Sequence, residues 1–265
     1  MFSLEAIYYD MKEKSCILFC RYSAGVISRG TLSELSAGLK LYDTDVFELQ
    51  DLCALTLNEK EFFDTIEEKF DRKIIIACFP RAVKNMLRQG GIDLGDYEVL
   101  NFRENSSAQI FSTLETVFQI PRGDARYHVQ VSDLDVPAWF PVIDESRCNL
   151  CGKCARFCLF GVYSFSKRHL KVVNPLSCKD KCPACGRTCP TQAIIFPRLD
   201  EQTVLAGAMP GKAGVAVDQG SLLASLNQRN QNRRNIFRQG MIQQAEEERK
   251  KALEEFKAIK GEGNE

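Results

Sequence analysis

Residues 148–158 run CNLCGKCARFC, and residues 178–190 run CKDKCPACGRTCP. Together they hold eight of the twelve cysteines of a 265-residue chain. The first run has the spacing C-x2-C-x2-C-x3-C; the second has C-x3-C-x2-C-x3-C and is followed by a proline. Thiols clustered in this way, in a chain with no sign of secretion, more often bind metal than form disulfides.

Two such runs, separated by residues 159–177, resemble bacterial-type ferredoxins with two [4Fe–4S] clusters. The resemblance covers about residues 140–198 and includes Pro190 directly after the last cysteine. It implies that each cluster is bound by three cysteines of one run and the last cysteine of the other. The first cluster would be bound by Cys148, Cys151, Cys154 and Cys189, and the second by Cys158, Cys178, Cys182 and Cys185.

The chain departs from the ferredoxin pattern at two places. Three residues, instead of two, separate Cys178 from Cys182, and no proline follows Cys158. The extra residue predicts either a bulge in the second loop or a weaker second cluster. Zinc is the alternative metal, because C-x2-C pairs also form tetrahedral sites with four thiolates. A zinc ribbon needs two such pairs, whereas each run here ends in C-x3-C, and this favours iron–sulfur clusters.

Apolar residues around the two runs predict a dry environment for the clusters. Residues 142–144 and 193–195 are expected to pair as short edge strands. The predicted apolar shell consists of Ile143, Leu150, Phe157, Val162, Leu176 and Ile194. Gly152 and Gly186 are expected to leave room beside a cluster, where backbone N–H groups can donate to sulfur.

Residues 15–118 alternate between short apolar segments and amphipathic ones. The predicted strands are 16–20, 45–49, 73–78 and 97–102. The predicted helices are 31–40, 58–70, 81–89 and 106–118. This order indicates an α/β domain with a parallel sheet, Rossmann-like in type. With the cysteine-rich module added, the predicted fold class is α+β overall.

The other four cysteines lie in this α/β region. Cys20, Cys53 and Cys78 fall at or just beyond the carboxyl ends of predicted strands. That edge is where open α/β sheets bind ligands. Cys16 begins its strand and is expected in the core, as buried cysteines often are.

Four segments resemble the N-terminal domain of the flavin-containing subunit of heterodisulfide reductase: FCRYSAGVI (19–27), DLC (51–53), IIIACFPRAVKNML (74–87) and VLNFRE (99–104). The resemblance covers about residues 15–105 and implies an additional iron–sulfur site at Cys20, Cys53 and Cys78. The family has a further cysteine where this chain has Tyr22. Either the site is lost here or a non-cysteine group completes it. The flavin domain of the family is missing and no G-x-G-x-x-G follows a strand, so neither flavin nor nucleotide is expected.

The composition limits the partners and the location. Lys and Arg total 35, Asp and Glu total 35, and the sequence pI is about 6.7, so nucleic acid is not an expected partner. The sequence contains no apolar run of about 18 residues, so no membrane span is predicted. The first residues lack a secretory signal, so a cytoplasmic protein is expected. No paired carboxylates, nucleophile elbow or His–carboxylate pattern predicts a catalytic residue.

We predict four regions along the chain. They are an α/β domain at 1–120, a linker at 121–141, the two-cluster module at 142–198, and an extended strap with a charged helical tail at 199–265. The tail is either a solvated helix, with pairs such as Glu247–Lys251, or an arm that docks on a partner protein. Of these two hypotheses we favour the docking arm.

These patterns predict a protein that passes single electrons through two [4Fe–4S] clusters. The resemblances imply a non-catalytic subunit of a heterodisulfide-reductase-like or flavin-linked oxidoreductase complex. Its redox partner would be a flavoprotein or the thiol–disulfide reductase of such a complex. The alternative is an assembly adaptor whose clusters are structural. A third hypothesis, a reductase complete in itself, needs a cluster at Cys20, Cys53 and Cys78.

Overall fold

The computed structural model describes residues 14–21, 26–134 and 138–210, together with Glu247, Lys250, Lys251 and Glu254 of the tail. The chain divides into two compact units, residues 1–213 and 214–265. The sheet and the cysteine-rich module both belong to the first unit. The four described tail residues are helical and exposed. The other tail residues behind the docking hypothesis lie outside the described part of the chain.

Five parallel strands form the sheet: β1 (Ser15–Cys20), β2 (Asp45–Leu49), β3 (Arg72–Ala77), β4 (Tyr97–Asn101) and β5 (Arg126–Gln130). Their order is β4-β3-β1-β2-β5. The central strands β1 and β3 are almost wholly buried, as is typical of parallel strands covered on both faces. The predicted parallel sheet is confirmed. Its strand order differs from the 3-2-1-4-5-6 of a Rossmann fold, so we describe the domain only as α/β.

Five helices connect the strands: α1 (Arg29–Leu39), α2 (Leu52–Asn58), α3 (Lys60–Lys69), α4 (Pro80–Gln89) and α5 (Ser107–Thr116). The Ser28 hydroxyl caps α1 by accepting from the N–H of Thr31. Ser106 and Gln109 form a capping box at the start of α5. Pro80 begins α4 at a position where no N–H is required.

Two elements differ from the prediction. β5 lies inside residues 121–141, predicted as a linker, and pairs with β2. Its side chains are largely exposed, so the apolar run that marks a buried strand is missing. α2 lies between the predicted strand 45–49 and the predicted helix 58–70, where no element was predicted, and Asn58 ends α2 instead of beginning the next helix. Because five of its seven residues are buried, α2 has no amphipathic pattern to reveal it.

The cysteine-rich module is built from short elements: β6 (Val142–Ile143), α6 (Lys153–Phe157), β7 (Tyr163–Ser166), β8 (His169–Val172), α7 (Ala184–Arg187) and β9 (Ile194–Ile195). Single 3-10 turns lie at Pro175–Ser177 and, after the module, at Val204–Ala206. β6 and β9 pair antiparallel, which confirms the predicted edge pairing, and β7 forms a hairpin with β8. Among the described residues, no helix combines the length and apolar character needed to cross a membrane.

Buried arginines join the sheet domain to the module. Arg81 of α4 pairs with Asp144 at 2.6 Å and donates to the carbonyls of Gln192 and Val204 at 2.6 and 2.9 Å. Arg198, beyond β9, pairs with Asp51 at 3.2 Å, next to the start of α2. Arg103 donates to three carbonyls in residues 199–201. The first part of the predicted strap is therefore packed against the sheet domain.

Candidate metal centre

The two cysteine runs fold into the same backbone pattern. In each run a left-handed residue directly precedes the second cysteine: Leu150 has φ 56° and Lys181 has φ 55°. The third cysteine then lies on a short helix, Cys154 on α6 and Cys185 on α7. Another left-handed residue stands three places after the last cysteine of each run, at Gly161 and Gln192. The repeat indicates two equivalent loops, each presenting three thiols.

The extra residue of the second run is accommodated in a tight turn. The N–H of Cys182 donates to the carbonyl of Lys179 at 3.1 Å, and Lys181 takes the left-handed conformation. The longer spacing thus alters the turn before Cys182 and leaves the repeated pattern intact. It corresponds to the bulge that the spacing predicts.

Cys189, from the second run, lies with the first three cysteines of the first run. Cys148 interacts electrostatically with Cys189 and Cys151. Cys154 interacts with Cys185 and also with Cys189 and Cys148. These four thiols therefore form one group that draws on both runs.

Cys158, from the first run, lies with the second. Cys178 interacts with Cys158, Cys182 and Cys185, and Cys185 interacts with Cys158 and Cys182. The two groups also interact with each other, through Cys154 and Cys185. Two four-thiol groups thus stand side by side within the module.

Burial makes thiolates costly in these groups. Burial first, and neighbouring thiols second, raise the pKa of Cys154 and Cys178 to about 12. Burial also raises the pKa of Cys185 to about 11, partly offset by a hydrogen bond with Tyr163. A bound cation stabilises such thiolates, because the thiolate is the form that binds metal. Four thiols in each group fit the all-cysteine ligation of [4Fe–4S] clusters.

A single zinc ion and a cubane cluster require different spacings of their four thiolates. Among the described residues, no three His, Cys, Asp or Glu side chains are arranged to hold a single metal ion. Thiolates around one tetrahedral zinc lie about 4 Å apart, because each Zn–S bond is only ~2.3 Å long. The thiolates of a cubane each bind a different iron and so stand further from one another.

Among the sulfur atoms that take part in hydrogen bonds, those of Cys185 and Cys189 each lie close to a side-chain hydroxyl. The N–H of Ala193 donates to Cys189 Sγ at 3.3 Å, and Thr191 Oγ1 lies 3.6 Å from the same sulfur. Burial opposes ionisation of Cys189, but these hydrogen bonds outweigh it and lower the pKa of that thiol. Tyr163 Oη lies 3.1 Å from Cys185 Sγ. The sequence does not single out Tyr163, because nothing distinguishes it from other residues of an alternating strand.

The predicted apolar shell is only half correct. Ile143, Val162 and Ile194 are buried, whereas Leu150, Phe157 and Leu176 are 36–50% exposed. Leu150, Phe157 and Leu176 lie in or beside the cysteine loops. These loops follow the surface, because the module is too small to enclose them. The dry side of the module is the one that carries β6 and β9.

The two glycines do not leave open space as predicted. A Cβ at Gly152 would lie 2.3 Å from the ring of Phe165, and one at Gly186 would lie 2.3 Å from Leu205. Side chains of the module already occupy these places. Gly152 also has φ 67°, a conformation that favours glycine.

We expect Gly152→Ala to destabilise the module more than Gly161→Ala. Both glycines have φ near 66°, but nothing lies within 4 Å of a Cβ at Gly161. Gly161→Ala should cost only the left-handed conformation, about 1–2 kcal/mol. Gly152→Ala adds overpacking against Phe165, about 1–3 kcal/mol more. Urea unfolding of the two variants measures the difference, and equal destabilisation would contradict the role of Phe165.

The N-terminal cysteines are brought together as predicted from their strand ends. Cys20, Cys53 and Cys78 line one cavity with Asp51 and Arg198. Cys53 interacts electrostatically with Cys78 and Cys20. Cys16 is fully buried beside Lys73 and takes no part in this cavity.

This cavity does not fit a cubane cluster. Its volume is about 20 Å³, enough for about one water. The lining residues supply three thiols, and Tyr22, which replaces the fourth cysteine, lies outside the described residues. A third cluster at these cysteines therefore stays a prediction.

Known proteins resemble the cysteine-rich region. Residues 140–163 match the family model of a 4Fe-4S binding domain. The chain contains a ferredoxin-type domain. A protein described as an uncharacterized ferredoxin, from Methanocaldococcus jannaschii, is 44% identical over 61 residues, which make up 23% of this chain and 42% of the relative. The chain thus spans less than half of that curated relative. No solved structure matches the chain.

Proposed function

We propose that this chain is an iron–sulfur electron-transfer protein with two [4Fe–4S] clusters. Cys148, Cys151, Cys154 and Cys189 would hold the first cluster. Cys158, Cys178, Cys182 and Cys185 would hold the second. The observation that carries the proposal is the exchange of the last cysteine between the two runs, since crosswise ligation is typical of two-cluster ferredoxins.

A bound [4Fe–4S] cluster accepts or releases one electron without breaking covalent bonds of the protein. The chain itself supplies thiolates at fixed positions, a partly buried environment and hydrogen bonds to sulfur, all of which tune the reduction potential. The side-by-side position of the two thiol groups, through Cys154 and Cys185, supports electron exchange between them.

The charge of the module supports a protein partner for this exchange. Residues 142–198 contain ten Lys and Arg but only three Asp and Glu, although the whole chain has no net charge. Next to Cys158, Leu159 is 90% exposed and Phe160 is 44% exposed. Apolar residues in a basic surrounding suit an acidic docking surface on the partner. The resemblance of the N-terminal region to heterodisulfide reductase makes a flavoprotein or a thiol–disulfide reductase the proposed partner.

Metal and sulfide analysis of anaerobically purified protein tests this function. Two clusters require about eight irons and about eight acid-labile sulfides per chain. Dithionite should then produce a paramagnetic signal that disappears on reoxidation, with the fold retained. About two zincs and no sulfide would overturn the proposal. Clusters that resist reduction, or decompose on it, would instead support a structural adaptor.

We expect Tyr163→Phe to lower the reduction potential of the second cluster. A hydroxyl that donates to Cys185 Sγ stabilises the more negative, reduced state. A hydrogen bond worth ~1 kcal/mol corresponds to about 40 mV for one electron. A redox titration followed by paramagnetic resonance measures the shift. Tyr42→Phe is the control, because buried Tyr42 donates to Glu115 in the sheet domain and should leave both potentials unchanged.

A further inference from the structure

Three thiols of the sheet domain meet where the strand order reverses. Cys20 ends β1 and Cys78 follows β3; these strands are neighbours although β2 comes between them in the chain. Open α/β sheets bind ligands in the crevice at such a reversal. Cys53, in the first turn of α2, lines the same cavity. The three thiols therefore occupy the place in this fold where function is expected.

The small cavity suits chemistry of the thiols themselves. The cavity has room for about one water, so the chemistry expected there needs no bound ligand or cluster. Cys53 interacts with both other thiols. Of these two, Cys20 is buried and Cys78 is half-buried, so Cys78 is the thiol that can release its proton to solvent. Two neighbouring thiols can undergo a two-electron oxidation to a disulfide without any further ligand.

The cysteine-rich module closes this cavity. Pro197 and Arg198, just beyond β9, form part of its wall. Arg198 pairs with Asp51, whose carboxylate lines the cavity beside Cys53. Burial, against the attraction of Arg198, raises the pKa of Asp51. A carboxylate in this position is a suitable first acceptor for a thiol proton.

Trp139 connects the cavity to the second thiol group. The indole is 93% buried and lines a narrow hollow together with Cys53 and Phe196. It stacks on Phe196 with ring centroids 5.3 Å apart. Its buried indole N–H completes no hydrogen bond but lies near enough to Cys178 to favour the thiolate of that residue. One aromatic side chain thus lies between a thiol of the cavity and a proposed ligand of the second cluster.

We propose that Cys53 and Cys78 form a redox-active dithiol that exchanges electrons with the two clusters through Trp139. The inference rests on the proposed function, since the clusters are its electron carriers. On oxidation both S–H bonds break and one S–S bond forms. Two electrons leave, one to each oxidised cluster. Asp51 accepts the proton of Cys53, and the proton of half-buried Cys78 passes to solvent. Reduction of the disulfide is the reverse of this step.

Counting electrons in the full-length, cluster-loaded chain tests the dithiol. After oxidation with a mild dye such as thionine, the wild type should take up about four electrons, two for the clusters and two for the disulfide. Cys53→Ser should take up about two. Cys20→Ser is the matched control, because Cys20 lines the same cavity but is not in the proposed pair, and it should keep about four. Differential alkylation and mass spectrometry should identify a Cys53–Cys78 linked peptide in the oxidised wild type.

Replacing Trp139 tests the connection. Trp139→Leu should slow the reduction of the disulfide after rapid photoreduction of the clusters, with the iron content unchanged. Trp139→Phe keeps an aromatic ring and should slow the reduction of the disulfide less. If the leucine variant fails to load iron, the phenylalanine variant still tests the connection. Equal rates in wild type and both loaded variants would overturn the role of Trp139.

The remaining outcomes separate this inference from the proposed function. About eight irons with an uptake of only about two electrons would overturn the dithiol and keep the two-cluster function. About twelve irons, with the additional signal lost in Cys53→Ser, would overturn the dithiol in favour of a third cluster. Zinc in place of iron would overturn both proposals at once.

Discussion

Cys189→Ser is expected to release the iron held by the first run, although Cys189 belongs to the second. Its thiol interacts with Cys148 and Cys154, and its sulfur accepts the Ala193 N–H that closes this side of the module. A cluster with one of its four thiolates removed is lost or strongly weakened. Iron should therefore fall from about eight to about four per chain, a loss of half the metal.

Alkylation of the variant distinguishes crosswise from local ligation. After Cys189→Ser, the thiols of Cys148, Cys151 and Cys154 should react with iodoacetamide, whereas Cys178, Cys182 and Cys185 should stay protected. Cys158→Ser should give the opposite result. Reactivity confined to the run that carries the substitution would contradict the crosswise arrangement.

Cys16→Ser is the control for this experiment. Cys16 lies fully buried in β1, and burial raises the pKa of its thiol to about 12. It faces Lys73 and Asp45 and interacts with no other cysteine among its main electrostatic partners. The substitution should cost some stability of the sheet domain and leave the iron content unchanged.

The sheet could be predicted because its strands are marked locally. The segments of β1 and β3 are apolar throughout, which is typical of strands buried on both faces. β5, by contrast, has the sequence RYHVQ and lies at the edge of the sheet. Its place depends on backbone pairing with β2, about eighty residues earlier, and no local pattern reports that pairing.

The cysteine-rich loops could also be predicted from local sequence, because the spacing of the cysteines marks them. The residues that surround the thiols could not be predicted in this way. Spacing alone predicted which cysteines form loops, and the two turns at Leu150 and Lys181 follow it. Arg198 lines the N-terminal cavity and pairs with a carboxylate 147 residues earlier in the chain, and Trp139 lines the neighbouring hollow together with Cys53. Such contacts depend on how the module packs on the sheet domain, which hydrophobic periodicity does not encode.

That packing predicts the second large effect, a loss of about 3–5 kcal/mol of unfolding free energy in Arg81→Met. Arg81 and Asp144 are both buried, at 7% and 4% exposure, and their charges meet at 2.6 Å. Burial alone would raise the pKa of Asp144, but hydrogen bonds from Ser146 and Arg81 lower it, so the carboxylate is charged at neutral pH. Removing Arg81 would leave that charge buried without its partner, and would break two bonds to backbone carbonyls.

Two further variants show whether the buried charge causes this loss. Arg126→Ala removes an exposed guanidinium that pairs with Asp45, and should cost at most about 1 kcal/mol. Arg81→Met combined with Asp144→Leu leaves no charge to bury and should be less destabilised than Arg81→Met alone. Urea unfolding followed by circular dichroism measures these variants together with Asp144→Leu alone, which completes the comparison. The double variant could instead lose as much unfolding free energy as its two single variants lose together. The stabilisation would then come from the hydrogen bonds that Arg81 donates to the carbonyls of Gln192 and Val204, and the ion pair itself would contribute little to holding the module on the sheet.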